Sequence, residues 1–318
     1  MRGVFLDLDT VSHLGDVDLT PLRQVLAELR SFATTTPEQV AERVGDAEVV
    51  LTNKMKLNAP ILARLSHVRL ICVAATGTNN VDLEAACHRG IAVCNVPAYS
   101  TPSVVQQVFA FILNLTQHLK EYETLLQQGA WRRAPQFTLL DYPIRELAGK
   151  QLGILGYGDI GKAVAKVAEA FGMHVLIGAR NADDKRPGRL TLAELLPQVD
   201  VLTLHVPLLP ETRNLIGAKE LALMKHDALL INCARGGIVD EQALAEALKS
   251  GKLGGAGIDV LSEEPPIHGN PLLAPGIPNL IVTPHIAWAT REARQRVIVE
   301  MAANIEAFKQ GKKRNRVA

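Results

Sequence analysis

Residues 151–180, QLGILGYGDIGKAVAKVAEAFGMHVLIGAR, constrain the fold more than any other stretch of the chain. An apolar run at 152–155 leads into Gly156, Gly158 and Gly161. An amphipathic run with Val164, Val167, Ala168 and Phe171 follows, and a second apolar run spans 175–177. The order is strand, glycine turn, helix, strand, within the ~30 residues that a βαβ unit needs. The first glycine of such a unit permits the tight turn, the second lets the backbone approach a pyrophosphate, and the third lets the helix pack on the sheet. The first amides of the helix have no intrahelical partner and suit an anion. A dinucleotide site over Gly156, Tyr157, Gly158, Asp159, Ile160 and Gly161 is therefore expected. Glycines that merely fill an α/β turn are the alternative.

A chain of 318 residues favours two domains over one. Its net charge of +1 points to neither a nucleic-acid nor a membrane partner. No apolar run approaches the ~18 residues of a membrane span. The opening MRGVFLDLDT reads as a first strand and not as a signal peptide. Cys72, Cys94 and Cys233 lie in strand-like apolar runs, and the cysteines show no metal-ligand spacing. A cytoplasmic protein with no structural metal is expected.

Strand signals at 3–8, 48–51, 69–74 and 91–94 alternate with helical patterns at 19–29, 59–65 and 83–89. That alternation predicts a parallel sheet covered by helices, a flavodoxin-like first domain. A long helix is expected over 104–126. The less regular segment 127–150, with Trp131, Phe137 and Tyr142, reads as an arm against another subunit or as a surface excursion. Further strands are expected at 201–206, 228–234, 254–260 and 280–283. Helices are expected at 192–196, 218–223 and 241–250, and a last long helix over 289–310. The fold class is thus α/β with two doubly wound parallel sheets. Residues 1–97 and 286–318 form a substrate domain, and 98–285 an inserted Rossmann dinucleotide domain.

Three later stretches carry a specific resemblance: INCARGGIVDEQAL at 231–244, GIDVLSEEP at 257–265 and TPHIAWAT at 283–290. With GYGDIG and with ATGTNNVD at 75–82, their order and spacing resemble the D-isomer-specific 2-hydroxyacid dehydrogenase family over nearly the whole chain. Within the family the chain looks most like the glycerate dehydrogenase, or hydroxypyruvate reductase, branch. The resemblance implies a nicotinamide cofactor, a cleft between two domains and a homodimer.

Reduction of a 2-keto acid needs a cation for the carboxylate, a polariser for the carbonyl and an acid for the developing alkoxide. Arg235 ends an apolar strand, at the edge where open α/β sheets bind ligands, and its planar fork matches a carboxylate. His285 follows the last strand of the nucleotide domain and can give and regain a proton near neutral pH. By the resemblance, Glu264 pairs with His285, and a neighbouring carboxylate favours the imidazolium. Glu263 is the adjacent alternative, set aside because Glu264 directly precedes Pro265. Thr76 and Gly77 follow a strand of the first domain and match an anion nest for the substrate carboxylate. Asp259 matches a position that bonds the nicotinamide carboxamide, and Val104 a position flanking the ring. Further cofactor contacts are expected at Asn181, Val206, Pro207, Thr212, Cys233 and Ala234. Trp288 either limits substrate bulk or packs between domains.

An NAD site usually carries an acid at the end of the second strand, bonded to the ribose 2′-hydroxyl. Here Ala179 and Arg180 stand there, and Asp183 and Asp184 fall beyond the strand in a loop with Lys185, Arg186 and Arg189. Without the acid a 2′-phosphate is not repelled, and Arg180 can pair with it. NADP is therefore expected over NAD. The expected reaction is reduction of hydroxypyruvate, with glyoxylate as a second substrate. The alternatives are another 2-keto acid reductase, a phosphoglycerate dehydrogenase, or a non-catalytic NAD(P)-sensing protein. A sensor need not keep Arg235, Glu264 and His285 together.

Overall fold

The computed structural model describes residues 1–181, 184 and 186–318. Asp183 and Lys185 lie outside the described residues. The chain divides into two compact units, Met1–Ser100 with Trp288–Ala318, and Thr101–Ala287.

The first unit holds β1 (Arg2–Phe5), β2 (Glu28–Ser31), β3 (Val49–Thr52), β4 (Leu70–Val73) and β5 (Ala92–Cys94). They form a parallel sheet in the order β2-β1-β3-β4-β5, the flavodoxin-like order. β3 and β4 read VVLT and LICV and are buried throughout, as expected of strands covered on both faces. Alternate residues feed two cores. Phe5, Leu51 and Cys72 join Val297, Ile298, Met301 and Ile305 of the helix Arg291–Lys309. Val4, Val50 and Ile71 join Leu62 and Val44 on the other face.

The pattern at 19–29 suggests one helix, but the structure divides it. The helix Thr20–Val25 stops where Leu26 turns extended (φ −109°, ψ 137°). The Ala27 N–H then donates to the Met1 carbonyl at 2.9 Å, which starts the pairing of β2 with β1. β2 is an edge strand of sequence ELRS, so it lacks the apolar run that marks a central strand.

The second unit holds β6 (Gln151–Leu155), β7 (His174–Gly178), β8 (Arg189–Leu190), β9 (Val201–Leu204), β10 (Leu229–Asn232), β11 (Gly255–Ile258) and β12 (Leu280–Val282). All pair in parallel, in the order β12-β11-β10-β9-β6-β7-β8. The chain order reverses between β6 and β9, the switch point where open α/β sheets take ligands. The helix expected over 104–126 is two helices, Thr101–Gln117 and Leu119–Gln127. The break falls at His118, which is left-handed (φ 51°) and buried, with its ring stacked on Tyr142 at 5.4 Å. Among the described residues, no helix is long and apolar enough to cross a membrane.

Candidate active site

The glycine turn joins β6 to the helix Asp159–Ala170. Gly156 has φ +96°, and a Cβ there would run into the His205 carbonyl that follows β9. Around Gly158 the space is open, with nothing within 4 Å of where a Cβ would stand. Gly158 is also the N-cap and supplies no side-chain cap, so the first helical amides are left to an outside acceptor. A pyrophosphate fits that combination of open space and unpaired amides. Tyr157 lies beside it, with the Arg189 guanidinium 5.1 Å from its ring centroid.

After β9 the chain runs through His205, Val206 and Pro207 to Thr212. The Thr212 hydroxyl donates to the Pro207 carbonyl and accepts from the Leu209 N–H, both at 2.7 Å, which fixes the loop. His205 was not anticipated from sequence. Its Nε2 pairs with the Thr203 hydroxyl at 3.1 Å, and its Nδ1 is buried without a partner among the described residues. Burial lowers its pKa to about 4, so the ring is neutral at physiological pH. The available signal was a histidine directly after the apolar run VLTL, at the ligand-binding edge of the sheet.

Arg235, Glu264 and His285 follow β10, β11 and β12, three neighbouring strands. The Asn232 side chain closes the turn before Arg235, accepting from the Ala234 N–H and donating to the Arg235 carbonyl, each at 3.0 Å. The Arg235 side chain is exposed, and its Nη1 donates to the Ala234 carbonyl at 2.7 Å. Gly236 is needed for close approach, because a Cβ there would collide with the Leu261 carbonyl. Leu261 in turn donates its N–H to Glu264 Oε1 at 2.9 Å. The other oxygen, Oε2, lies 2.6 Å from His285 Nδ1. The RGG turn, the Glu264 loop and the His285 loop are therefore one connected network. Glu263 pairs instead with His268 at 2.7 Å.

His285 itself is left-handed (φ 54°), an uncommon state for a residue with a side chain. Asp259 holds it there. The Asp259 carbonyl accepts the His285 N–H at 2.8 Å. Its carboxylate accepts from the Thr283 hydroxyl at 2.5 Å and from the Ile286 and Ala287 N–H groups at 2.9 Å. Asp259 has no exposed surface. Within the chain, these bonds are what holds the Asp259 carboxylate. Burial pushes its pKa up, and the three donors offset part of that rise. Cys233 lies close by, with its thiol pKa raised well above the usual value by burial first and by Asp259 second. Val104, Cys233 and Ala287 share one buried apolar cluster.

In the first unit, Thr76 and Gly77 follow β4. The Thr76 hydroxyl donates to the Val96 carbonyl at 2.9 Å, and Asn95 Nδ2 donates to the Thr76 carbonyl at 2.8 Å. Trp288 meets Tyr99 edge-on, with ring centroids 6.3 Å apart. Among the described residues, no three His, Cys, Asp or Glu side chains gather as metal ligands.

The end of β7 differs from expectation. Ala179 donates its N–H to the Leu190 carbonyl at 2.7 Å, and the Arg180 side chain is exposed. Yet the strand end does not lack a carboxylate, because Asp184 folds back onto it. Asp184 Oδ2 accepts the Arg180 N–H at 2.8 Å, and the Arg186 guanidinium grips both carboxylate oxygens at 2.7 and 2.6 Å. Asn181 completes the turn, its carbonyl accepting the Asp184 N–H at 3.1 Å.

Comparison with known proteins gives the family and the fold. The family model "D-isomer specific 2-hydroxyacid dehydrogenase, NAD binding domain" matches residues 109–287. A glycerate dehydrogenase of Methylorubrum extorquens is 47% identical over 285 residues, covering 89% of each chain. A hydroxypyruvate reductase of Blautia hydrogenotrophica is 40% identical over 93% of this chain and 94% of its own. Among solved structures, the TT0316 protein of Thermus thermophilus superposes with a TM-score of 0.83 at 34% identity, covering 100% of both chains.

Proposed function

Because the chain belongs to the D-isomer-specific 2-hydroxyacid dehydrogenase family and is an NAD(P)-dependent oxidoreductase, we propose that it reduces hydroxypyruvate to D-glycerate and, as a second reaction, glyoxylate to glycolate, with NADPH preferred. The observation that carries this reading is the 2.6 Å contact between His285 Nδ1 and Glu264 Oε2, beside the RGG turn that bears Arg235.

The turn from Gly156 to Gly161 would hold the dinucleotide pyrophosphate, with Val206, Pro207 and Thr212 on the adjoining loop. When bound, the nicotinamide supplies hydride to the substrate carbonyl carbon. The protein's own residues do the rest. Glu264 accepts the Nδ1 proton of His285 and favours the charged imidazolium. That leaves Nε2 to give its proton to the carbonyl oxygen as negative charge develops there. Asp259 and Thr283 keep the imidazole loop from relaxing. Arg235 binds the carboxylate and polarises the neighbouring carbonyl. Thr76 and Gly77 are assigned to the substrate carboxylate as well, and Trp288 to the limit on substrate size. Each C=O reduced takes up one hydride and one proton, and His285 regains its proton from solvent.

The second unit is assigned the dinucleotide and the first the substrate. The NADP preference rests on the exposed Arg180 and on Ala179, which brings no acid of its own. A homodimer is supported by the exposed apolar side chains of Trp131, Phe137, Leu140 and Ile144, with Phe137 90% exposed. Four free thiols support a reducing, cytoplasmic setting. Incubation with hydroxypyruvate and NADPH, followed by chiral identification of the product, tests the reaction. D-glycerate is expected. L-glycerate, or no consumption of any 2-keto acid by a protein that binds cofactor, would overturn it.

A further inference from the structure

Resting on the NADP reading of the strand end, we propose that the Asp184 carboxylate is a built-in occupant of the seat for the cofactor's 2′-phosphate. Its displacement sets how far NADP is favoured over NAD.

The seat has the chemistry of a phosphate site. Among the described residues, four donors converge on one carboxylate: the Arg180 N–H and Arg186 Nη2 on Oδ2, and the Arg186 N–H and Nε on Oδ1, at 2.6–3.3 Å. The fork of Arg186 faces the carboxylate with two parallel bonds, the geometry with which arginine also takes a phosphate. The Arg180 amide is a fixed backbone donor at the carboxyl end of β7, next to Ala179. The Asp184 side chain is only 5% exposed, while Arg186 is 59% exposed. The carboxylate is thus seated beneath the guanidinium and is not waving in solvent. Arg186 first, then the Arg180 amide, hold the Asp184 pKa far below the ordinary carboxylate range. Asp184 therefore cannot make room for a second anion by taking up a proton at any physiological pH. It must move.

A 2′-phosphate that takes this place inherits the same donors and gains the exposed guanidinium of Arg180. A ribose with a bare 2′-hydroxyl brings no anion to compete, and Asp184 stays. Arg189 is held separately, over the Tyr157 ring. Two opposing features thus sit at one strand end. Arg180 attracts the phosphate, and Asp184 already fills the place it would take.

The test is calorimetric binding of two cofactor fragments, 2′,5′-ADP and 5′-AMP, to the wild-type protein and to Asp184→Asn and Asp184→Ala variants. An amide cannot receive two guanidinium donors as a carboxylate does, so both variants empty the seat. The expected result is about tenfold tighter 2′,5′-ADP in both variants, with 5′-AMP unchanged within about twofold. Unchanged or weaker 2′,5′-ADP overturns the inference. A weakening confined to 5′-AMP also overturns it and makes Asp184 a ribose-binding acid. Failure of the NADP reading shows elsewhere, as a wild-type protein that binds 2′,5′-ADP no better than 5′-AMP. The Asp184 inference is read from the change on substitution and does not depend on that baseline.

Discussion

Two aspartates, Asp259 and Asp184, do the same local work with opposite consequences. Each collects loop donors on one carboxylate at the carboxyl end of a strand of the same sheet. Asp259 has no exposed surface and accepts from Thr283, Ile286 and Ala287. Nothing can replace it, so it keeps His285 in an uncommon backbone state beside Glu264. Asp184 lies at the rim, and its main partner is a largely exposed arginine. A buried carboxylate with fixed donors preorganises an acid. A rim carboxylate with a solvated partner can yield to another anion. On the proposed reading, one sheet edge carries a fixed reaction centre and an adjustable end that selects the cofactor.

The largest expected effect strikes the rigid end. His285→Ala should lower kcat by about 10³-fold, within the span of general acid catalysis, and leave cofactor dissociation within about threefold. Stopped-flow turnover and fluorescence titration of cofactor check the two halves. An unchanged kcat would remove His285 as the acid.

His205 sharpens the comparison through pH. Its folded pKa of about 4 lies below the unfolded 6.5, so within that window the unfolded chain binds the extra proton. Stability is fully present above the unfolded value and falls as pH drops toward 4, by roughly 3 kcal/mol in total. In urea titrations at several pH values, His205→Gln should flatten that slope. An equally steep slope would remove His205 as its source.

Asp259→Asn leaves one loop amide facing a donor. It should cost about 1–3 kcal/mol of stability and lower kcat, because His285 loses its fixed position. Thermal unfolding and the pH profile of kcat are the measurements. A stability loss with a normal kcat and pH profile would reduce Asp259 to a purely structural role. Arg180→Gln should lower kcat/KM for NADPH by about tenfold or more and spare NADH. The wild-type advantage of NADPH should also shrink with added salt, since the pair is exposed. Equal losses for both cofactors would place Arg180 on a part they share.

The family and both parallel sheets were legible in the sequence, because alternating apolar runs and turn glycines are local signals. The pairing of Glu264 with His285 came from the family resemblance, and the structure brings Glu264 Oε2 within 2.6 Å of His285 Nδ1. β2 was not, because an edge strand reading ELRS buries too little to look apolar. The break at His118 was hidden, because a buried ring stacked on Tyr142 replaces the usual glycine or proline signal. The bonds that Asp259 accepts from Ile286 and Ala287 were hidden, because only the folded loop brings those amides to it. Asp184 was set aside because it falls beyond the strand, in a loop with Lys185, Arg186 and Arg189. Its carboxylate returns to the strand end through the Arg180 N–H and the Arg186 guanidinium, contacts that only the folded loop makes.

The central claim is a reductase of hydroxypyruvate that selects its cofactor at the end of β7. Steady-state kcat/KM with hydroxypyruvate, measured with NADPH and with NADH on one preparation, tests it most directly. The account predicts turnover with both cofactors and at least about tenfold higher kcat/KM with NADPH. Absence of turnover with either, or a clear preference for NADH, would contradict it.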